Sequence, residues 1–444
     1  MPTTETIAAI ATPPGIGGIG IVRISGPRAL EIGESLTSGS LPTKRVRFRK
    51  FLDASGQTLD HGLCFYCQAP HSFSGEDVVE IQGHGGPILL DMLLERICEL
   101  GARLARAGEF SERAFLNGKL DLAQAEAIAD LIESGSRAAA KAAMRSLEGL
   151  FSSQVHQLVD EIINLRAFVE AALDFAEEEI DFLADPTIDG RLLASLEKLE
   201  DILLQAENGR VLNEGLTVAL AGLPNAGKSS LLNYLAGYEA AIVTEIAGTT
   251  RDVVREHISL KGIPLRINDT AGLRSSDHPV EQEGIKRAWR EIDKADTILL
   301  LVDANFGMTV ADREIIKRFG SSNYHLIYSK ADLLPASASR DPQAHYISTR
   351  SGEGMDQLID LITDNFSDYN QDNQTIMARR RHVDALLRAR ECLQQAQRIF
   401  TETQSGELMA EDLRQAQQHL SEITGEYTSD DLLGKIFSSF CIGK

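Results

Sequence analysis

The sequence predicts a multidomain chain of mixed α/β and α+β class: an N-terminal α+β domain, a discontinuous all-α helical domain, and a P-loop α/β domain inserted into the helical one. Three observations carry this prediction. An apolar run, Leu216 to Ala221, leads into Gly222-Leu-Pro-Asn225-Ala226-Gly227-Lys228-Ser229 and then into the helical Ser230-Leu-Leu-Asn-Tyr-Leu-Ala236, the strand–loop–helix order of a P-loop. On both sides of it lie long proline-free tracts with apolar residues at helical spacing. Residues 1–115 instead alternate short β-type runs with glycine turns.

In the N-terminal part the β-type runs are Ile19-Gly-Ile-Val-Arg-Ile24, Gly62-Leu-Cys-Phe-Tyr66 and Val78-Val-Glu-Ile-Gln82, the last followed by Gly83-His-Gly-Gly86. Gly15-Ile-Gly17-Gly-Ile-Gly20 matches a dinucleotide fingerprint in letters only. It follows Pro13-Pro14 and enters a strand rather than a helix, so that reading fails its context. Arg23 and Glu80 are charges set inside apolar strands; an edge or surface position is the plain explanation from the local pattern.

No proline occurs between Pro87 and Pro186, and Val155, Leu158, Val159 and Ile162 follow the i, i+3, i+4, i+7 pattern. Leu196, Leu199 and Leu203 continue it, and Val383, Leu386, Leu387, then Leu413, Ala416, Leu420 and Ile423 resume it near the end. Domain termini usually lie close together, which lets one compact domain be inserted into another. The expected organisation is therefore 1–117, a helical domain formed by 118–212 with 371–444, and the P-loop domain at 213–370.

The chain has 444 residues, 43% of them hydrophobic, so it is long enough for about three domains with real cores. Asp+Glu 65 against Lys+Arg 44 gives a net charge of −21, which argues against undirected nucleic-acid or membrane binding but leaves room for a local basic patch. Lys44-Arg45-Val-Arg47-Phe-Arg49-Lys50 is the candidate, either such a patch or the solvated face of a short strand. No apolar run approaches the ~20 residues of a membrane span, and the N-terminus lacks the positive stretch of a signal peptide. A cytoplasmic protein with no membrane partner is expected. The five cysteines, an odd and scattered set, suit a reducing compartment. Cys64 and Cys67 sit three apart in a strand, on opposite faces, with no second pair to complete a zinc site; both read as packing residues.

The chemistry follows from the P-loop. Its glycines let backbone amides face a phosphate at a helix N-terminus, Lys228 reaches the β/γ-phosphates, and Ser229 ligates Mg²⁺, beside Ser230. Asp269-Thr270-Ala271-Gly272 follows the strand Pro264–Asn268 and supplies a carboxylate near Mg²⁺ and a glycine amide for the γ-phosphate. Ser329-Lys330-Ala-Asp332 follows a second strand; an aspartate there accepts from the N1–H and N2–H₂ of guanine, so GTP is preferred over ATP. Gly248-Thr249-Thr250-Arg-Asp252 lies where a switch threonine, Thr250, would ligate Mg²⁺ only when the γ-phosphate is present. The four ordered motifs predict a GTPase with a Ras-like G domain. Two positions depart from the usual pattern: Ser329 stands where GTPases usually carry Asn, and Ser348-Thr349 where Ser-Ala is common. Leu273 occupies the place of the glutamine that orients water in Ras-type enzymes, so hydrolysis must draw on another group.

Together these motifs, with Thr244-Glu245-Ile246-Ala247-Gly248-Thr249-Thr250-Arg-Asp252, the segment Gly108–Glu126 and a terminal Cys441-Ile-Gly-Lys444, make the chain similar over its whole length to the MnmE (TrmE) family of tRNA-modification GTPases. The resemblance implies an N-terminal domain that dimerises and binds 5,10-methylene- or 5-formyl-tetrahydrofolate, a discontinuous helical domain, and an inserted G domain. It implies a homodimer working with a flavin-containing partner, MnmG, to install a carboxymethylaminomethyl or aminomethyl group on C5 of the wobble uridine of certain tRNAs. It assigns K⁺ to Asn225, Thr244, Ile246 and Thr249, the water-orienting role to Glu281, folate contacts to Arg23, Glu80, Lys119 and Lys444, and a part in modification to Cys441. A different class stays open beside it: a regulatory GTPase switch in ribosome or RNA assembly, which needs no folate.

Overall fold

The computed structural model of the chain describes residues 5–174, 186–238, 256–261, 263–269, 286, 288–320, 323–335, 340–341, 344–363, 375–403, 405–427, 429–440 and 443. The chain divides into two compact units, one of residues 1–133, 143–202 and 384–444, the other of 134–142 and 203–383.

The first unit opens with strands β1 (Ile7–Ile10), β2 (Gly17–Ser25), β3 (Arg47–Leu52), β4 (Thr58–Cys67), β5 (Val78–Gly85) and β6 (Arg103–Leu104). They form one sheet in the order β3-β4-β5-β2-β1-β6, antiparallel except for the β1–β6 pair. Along β4 the side chains alternate, with Asp60, Gly62, Cys64 and Tyr66 buried, as a period of two demands. The buried face carries Val22, Ile24, Phe51, Cys64, Val79 and Ile81 and is closed by Ile32 and Leu36 of the helix Ala29–Thr37 and by Leu93 and Ile97 of the helix Pro87–Glu99. Cys64 is buried while Cys67, on the other face, is half-buried, and both thiols are free, as the spacing predicts. Gly17, inside the dinucleotide-like letters, begins a strand. At Gly62 a Cβ would lie 1.9 Å from the Gln82 carbonyl oxygen, so only glycine lets β4 approach β5 there.

Helical segments complete this unit. The helix Leu150–Asp174 turns Phe151, Val155, Leu158, Ile162, Leu165 and Val169 inward, and it packs on the helix Gly406–Thr424, whose Met409, Leu413, Ala416, Leu420 and Ile423 are buried. Two stripes more than 200 residues apart in the chain thus close on one another, with Arg166 Nη1 donating to Gln417 Oε1 at 2.7 Å. The helix Asp430–Ser438 places Ile436 and Phe437, with Phe440, against Leu122, Ala125 and Ala129 of the helix Leu122–Glu133.

The second unit contains β7 (Leu216–Gly222), β8 (Glu256–Leu260), β9 (Ile263–Asp269), β10 (Thr297–Asp303), β11 (Tyr324–Ser329) and β12 (His345–Tyr346). The order is β12-β11-β10-β7-β9-β8, parallel throughout except for β8, which runs antiparallel to β9. Parallel strands need both faces covered, and the core divides that way. Val218, Leu220, Leu299 and Leu301 pack with Leu231, Leu235, Leu358 and Ile359, whereas Ala219, Ala221, Ile298 and Leu300 pack with Trp289, Ile315 and Phe319. Strand Leu216–Ala221 therefore reads as a continuous apolar run because successive side chains enter two different cores. Among the described residues no helix is long and apolar enough to cross a membrane.

Candidate functional site

In the second unit, the carboxyl end of β7 turns sharply into the loop that the sequence identifies as a P-loop. Gly222 has φ 140°, and a Cβ there would lie 2.4 Å from the Leu301 carbonyl oxygen. Asn225 and Gly227 also take positive φ, 65° and 94°, conformations that glycine adopts freely and asparagine tolerates. The helix Lys228–Tyr238 begins at once, Leu231 N–H donating to the Gly227 carbonyl at 2.9 Å. The first amides of a helix have no intrahelical acceptor and carry its positive end, so this loop is suited to an anion. Lys228 is buried, and its Nζ donates to the Gly222 and Leu223 carbonyls at 2.9 and 3.0 Å, laying the ammonium across its own loop. Ser229 and Ser230 are exposed in the first helical turn.

The base-reading motif meets this loop directly. Ser329, the last residue of β11, is buried, and its Oγ lies 2.7 Å from the Ala226 carbonyl oxygen and 3.2 Å from that of Val302. Lys330 takes the left-handed conformation, φ 58°, and its Nζ lies 2.7 Å from Asp303 Oδ2. Burial pushes the Asp303 carboxyl up, but hydrogen bonds from Lys330 and Asn305 outweigh it and hold the group below the usual aspartate range. Asp332 is exposed, and its Oδ1 accepts from the buried Ser348 Oγ at 2.7 Å. Ser348 Oγ in turn accepts from Ser351 N at 3.1 Å. Thr349 follows in the same turn, half-buried. Asp269 ends β9 in register with Leu220, two residues before Gly222.

The residues present fit a Mg²⁺-bound nucleoside triphosphate: a positive-φ cradle, a buried lysine and a hydroxyl at the helix start. They bring Asn225, Ala226, Gly227, Lys228, Ser229, Ser230, Ser329, Lys330, Asp332, Ser348 and Thr349 to one end of the parallel sheet. Thr244, Glu245, Ile246, Ala247, Gly248, Thr249, Thr250, Thr270, Ala271, Gly272, Glu281, Cys441 and Lys444 lie outside the described residues.

In the first unit a second constellation gathers on the face of the N-terminal sheet opposite its core. Arg23 and Glu80 are register partners on β2 and β5, paired at 2.8 Å. The Arg23 guanidinium lies 5.5 Å from the Phe73 ring centroid and 5.7 Å from that of Phe110. Its Nη1 donates to the Gly443 carbonyl at 3.4 Å, next in sequence to Lys444. Lys119 Nζ donates to the Pro70 carbonyl at 3.1 Å, at the start of the loop that carries Phe73. A guanidinium beside a carboxylate, flanked by aromatic rings, fits a ligand with a planar polar ring and an anionic tail.

Beneath it runs a buried ionic network absent from the sequence reading. Arg113 reaches Glu76 at 2.9 Å and Glu109 at 3.0 Å, and Arg103 reaches Glu109 at 2.6 Å. Glu76 also accepts from Ser25 Oγ at 2.8 Å. Burial raises the Glu109 carboxyl, yet hydrogen bonds from Arg103, the Arg106 amide and Arg113 bring it down to about 2. Phe110, Glu109 and Arg113 lie inside the family-selecting segment 108–126, which gave a signal for their importance but not for their partners. Phe73 had no local signal; only the fold carries it to Arg23.

A model of the MnmE helical domain matches residues 122–441, and one described as GTP-binding protein TrmE N-terminus matches residues 6–119. The chain is 52% identical to the tRNA modification GTPase MnmE of Marinobacter nauticus, covering 100% of both proteins. It is 51% identical to the tRNA modification GTPase MnmE of Hydrogenovibrio crunogenus, covering 100% of this chain and 99% of that protein. The crystal structure of Aquifex aeolicus Era bound to GDP·AlF₄⁻ aligns with 40% of this chain and 66% of its own, at 24% identity and a TM-score of 0.29. With a family model spanning most of its length and relatives of this identity along all of it, the chain belongs to the MnmE (TrmE) family.

Proposed function

We propose that this chain is a GTPase that acts in tRNA modification, as a cytoplasmic homodimer with the flavoprotein MnmG, on C5 of the wobble uridine. The observation that carries the nucleotide part is the join between the two halves of the site: Ser329 of the base motif bonds the P-loop carbonyl of Ala226, while Ser348 holds the Asp332 carboxylate. The tRNA part is supported by the family and by relatives named as tRNA modification GTPases.

In this reading Asp332 accepts from guanine, Lys228 leaves its loop carbonyls for the β/γ-phosphates, and Ser229 with Thr250 holds Mg²⁺. Asn225, Thr244, Ile246 and Thr249 hold K⁺, which would supply positive charge where Ras-type enzymes use an arginine. Glu281 orients the attacking water in place of the glutamine that Leu273 replaces. Arg23 and Lys444 hold the glutamate tail of a tetrahydrofolate, Glu80 accepts from its pterin donors, and Lys119 closes the same pocket; Cys441 takes part in the modification. The domains are then 1–117, 118–212 with 371–444, and 213–370.

The test is reconstitution of full-length chain, flavoprotein partner, reduced folate, GTP and tRNA, with the wobble nucleoside read by mass spectrometry. Modification that requires all of them is expected. GTP turnover with no modified uridine and no folate binding would favour a regulatory switch in RNA assembly instead.

A further inference from the structure

We propose that the edge strand β3, with the turn before it, is the surface on which this chain docks tRNA; the inference rests on the tRNA reading above. Among the described residues β3 pairs only with β4 and forms one border of the N-terminal sheet. Residues 44–50 hold five cations, Lys44, Arg45, Arg47, Arg49 and Lys50, in a chain of net charge −21. Several other surface arginines are answered by carboxylates, among them Arg28 by Glu31, Arg96 by Glu99, Arg340 by Glu353, Arg388 by Glu422 and Arg414 by Glu411. None of the five cations of 44–50 has a carboxylate partner among the described residues. The carboxylates of the same hairpin are occupied within the fold. Asp53 accepts from Ser55 and Gln57, and Asp60 is buried and bonded to His84. Arg47 and Arg49 each keep a buried Nε with no hydrogen-bond partner among the described residues.

Between the cations Phe48 is 67% exposed, its ring stacked on His61 with centroids 6.3 Å apart and planes 16° from parallel. Charge on an edge strand also deters strand pairing, but that purpose requires no exposed aromatic ring. Arg47 and Arg49, opposite Cys64 and Gly62, lie on the strand face that carries Phe51, while Phe48 and Lys50 lie on the other face. A looped or single-stranded RNA segment following this edge can set its phosphates on the cations of the turn and of both faces and stack a splayed base on the Phe48 ring. This border gives an acidic chain a local positive surface on which to hold a polyanion.

The experiment measures tRNA affinity of the full-length protein over a series of salt concentrations. The exposed triple variant Lys44→Glu, Arg45→Glu, Lys50→Glu is expected to bind at least tenfold more weakly and to lower the salt slope by about two. Phe48→Ala is expected to weaken binding about tenfold with the slope unchanged. GTP turnover without tRNA stays at the wild-type rate in both, and an unchanged thermal unfolding profile of the full-length protein reports that the N-terminal sheet folds; should the triple variant fail that check, Phe48→Ala and Lys50→Gln carry the test. Wild-type affinity and slope in the variants would overturn the proposal while leaving the tRNA reading intact. Strip-dependent binding to vesicles of phosphatidylserine, with tRNA affinity unaffected by the same substitutions, would also overturn it and make the strand a membrane surface. No tRNA binding by the wild-type protein would overturn the tRNA reading and this inference together.

Discussion

The Ser329 hydroxyl donates to the Ala226 carbonyl across 2.7 Å, both residues buried. One short side chain thereby ties the end of β11 to the phosphate loop. The loop cannot open without giving up that bond or leaving a buried carbonyl unsatisfied, a cost of about 1–3 kcal/mol.

Ser329→Ala is therefore expected to weaken GDP binding about tenfold, equivalent to ~1.4 kcal/mol, while guanine remains preferred over adenine. Asp332→Asn is expected to do the reverse in kind, losing most of that preference. Titration of a fluorescent GDP analogue with ADP as competitor distinguishes the two; unchanged affinity in Ser329→Ala would mean that the bond does not hold the loop.

In the N-terminal sheet, Glu80→Gln keeps the shape of the Arg23 pair but removes its charge. Loss of a charge-assisted contact is worth about 2 kcal/mol, so reduced-folate affinity should fall some thirtyfold in the full-length protein, and Phe73→Ala should weaken it as well. GTP hydrolysis without tRNA should not change. Calorimetric titration with 5-formyl-tetrahydrofolate gives the answer, and wild-type affinity in both variants would remove this face from folate binding.

The Glu109 network predicts a pH dependence. Its folded carboxyl titrates at about 2, below the unfolded value of about 4.3, so its contribution to stability is present above pH ~4.3 and is lost as pH falls toward 2. Glu109→Gln leaves Arg103 and Arg113 without their shared anion and should cost about 3 kcal/mol at neutral pH. The gap in thermal midpoint between wild type and variant is expected to narrow steadily between pH 4.5 and 2.5; a constant gap would show that Glu109 carries no folded charge.

Much of this architecture was legible in the chain. Val155, Leu158, Val159 and Ile162 lie on the buried side of one long helix, and Leu413, Ala416, Leu420 and Ile423 on the helix that meets it, because a 3.6-residue period survives whatever the partner is. The P-loop was legible since its glycines answer to backbone conformations that few other residues adopt. The local pattern shows Arg23 and Glu80 only as charges in apolar strands, and the family resemblance names them without their geometry; that they face each other depends on the β2–β5 register, which no local pattern encodes. Ser329 departs from the usual asparagine in the sequence, but its bond to Ala226 spans 103 positions. Phe73, Arg113 and Glu76 escaped for the same reason: their roles come from contacts made across the sheet, not from spacing.

The most direct test of the account is the initial rate of GTP hydrolysis by the full-length protein with Mg²⁺, in KCl and in NaCl at matched ionic strength, for wild type and Asn225→Ala. The account predicts at least tenfold stimulation by K⁺ over Na⁺ in the wild type, and its loss in a variant that still binds GDP. Equal rates in the two salts would contradict it, and would place the positive charge of the transition state on a protein residue or a partner instead.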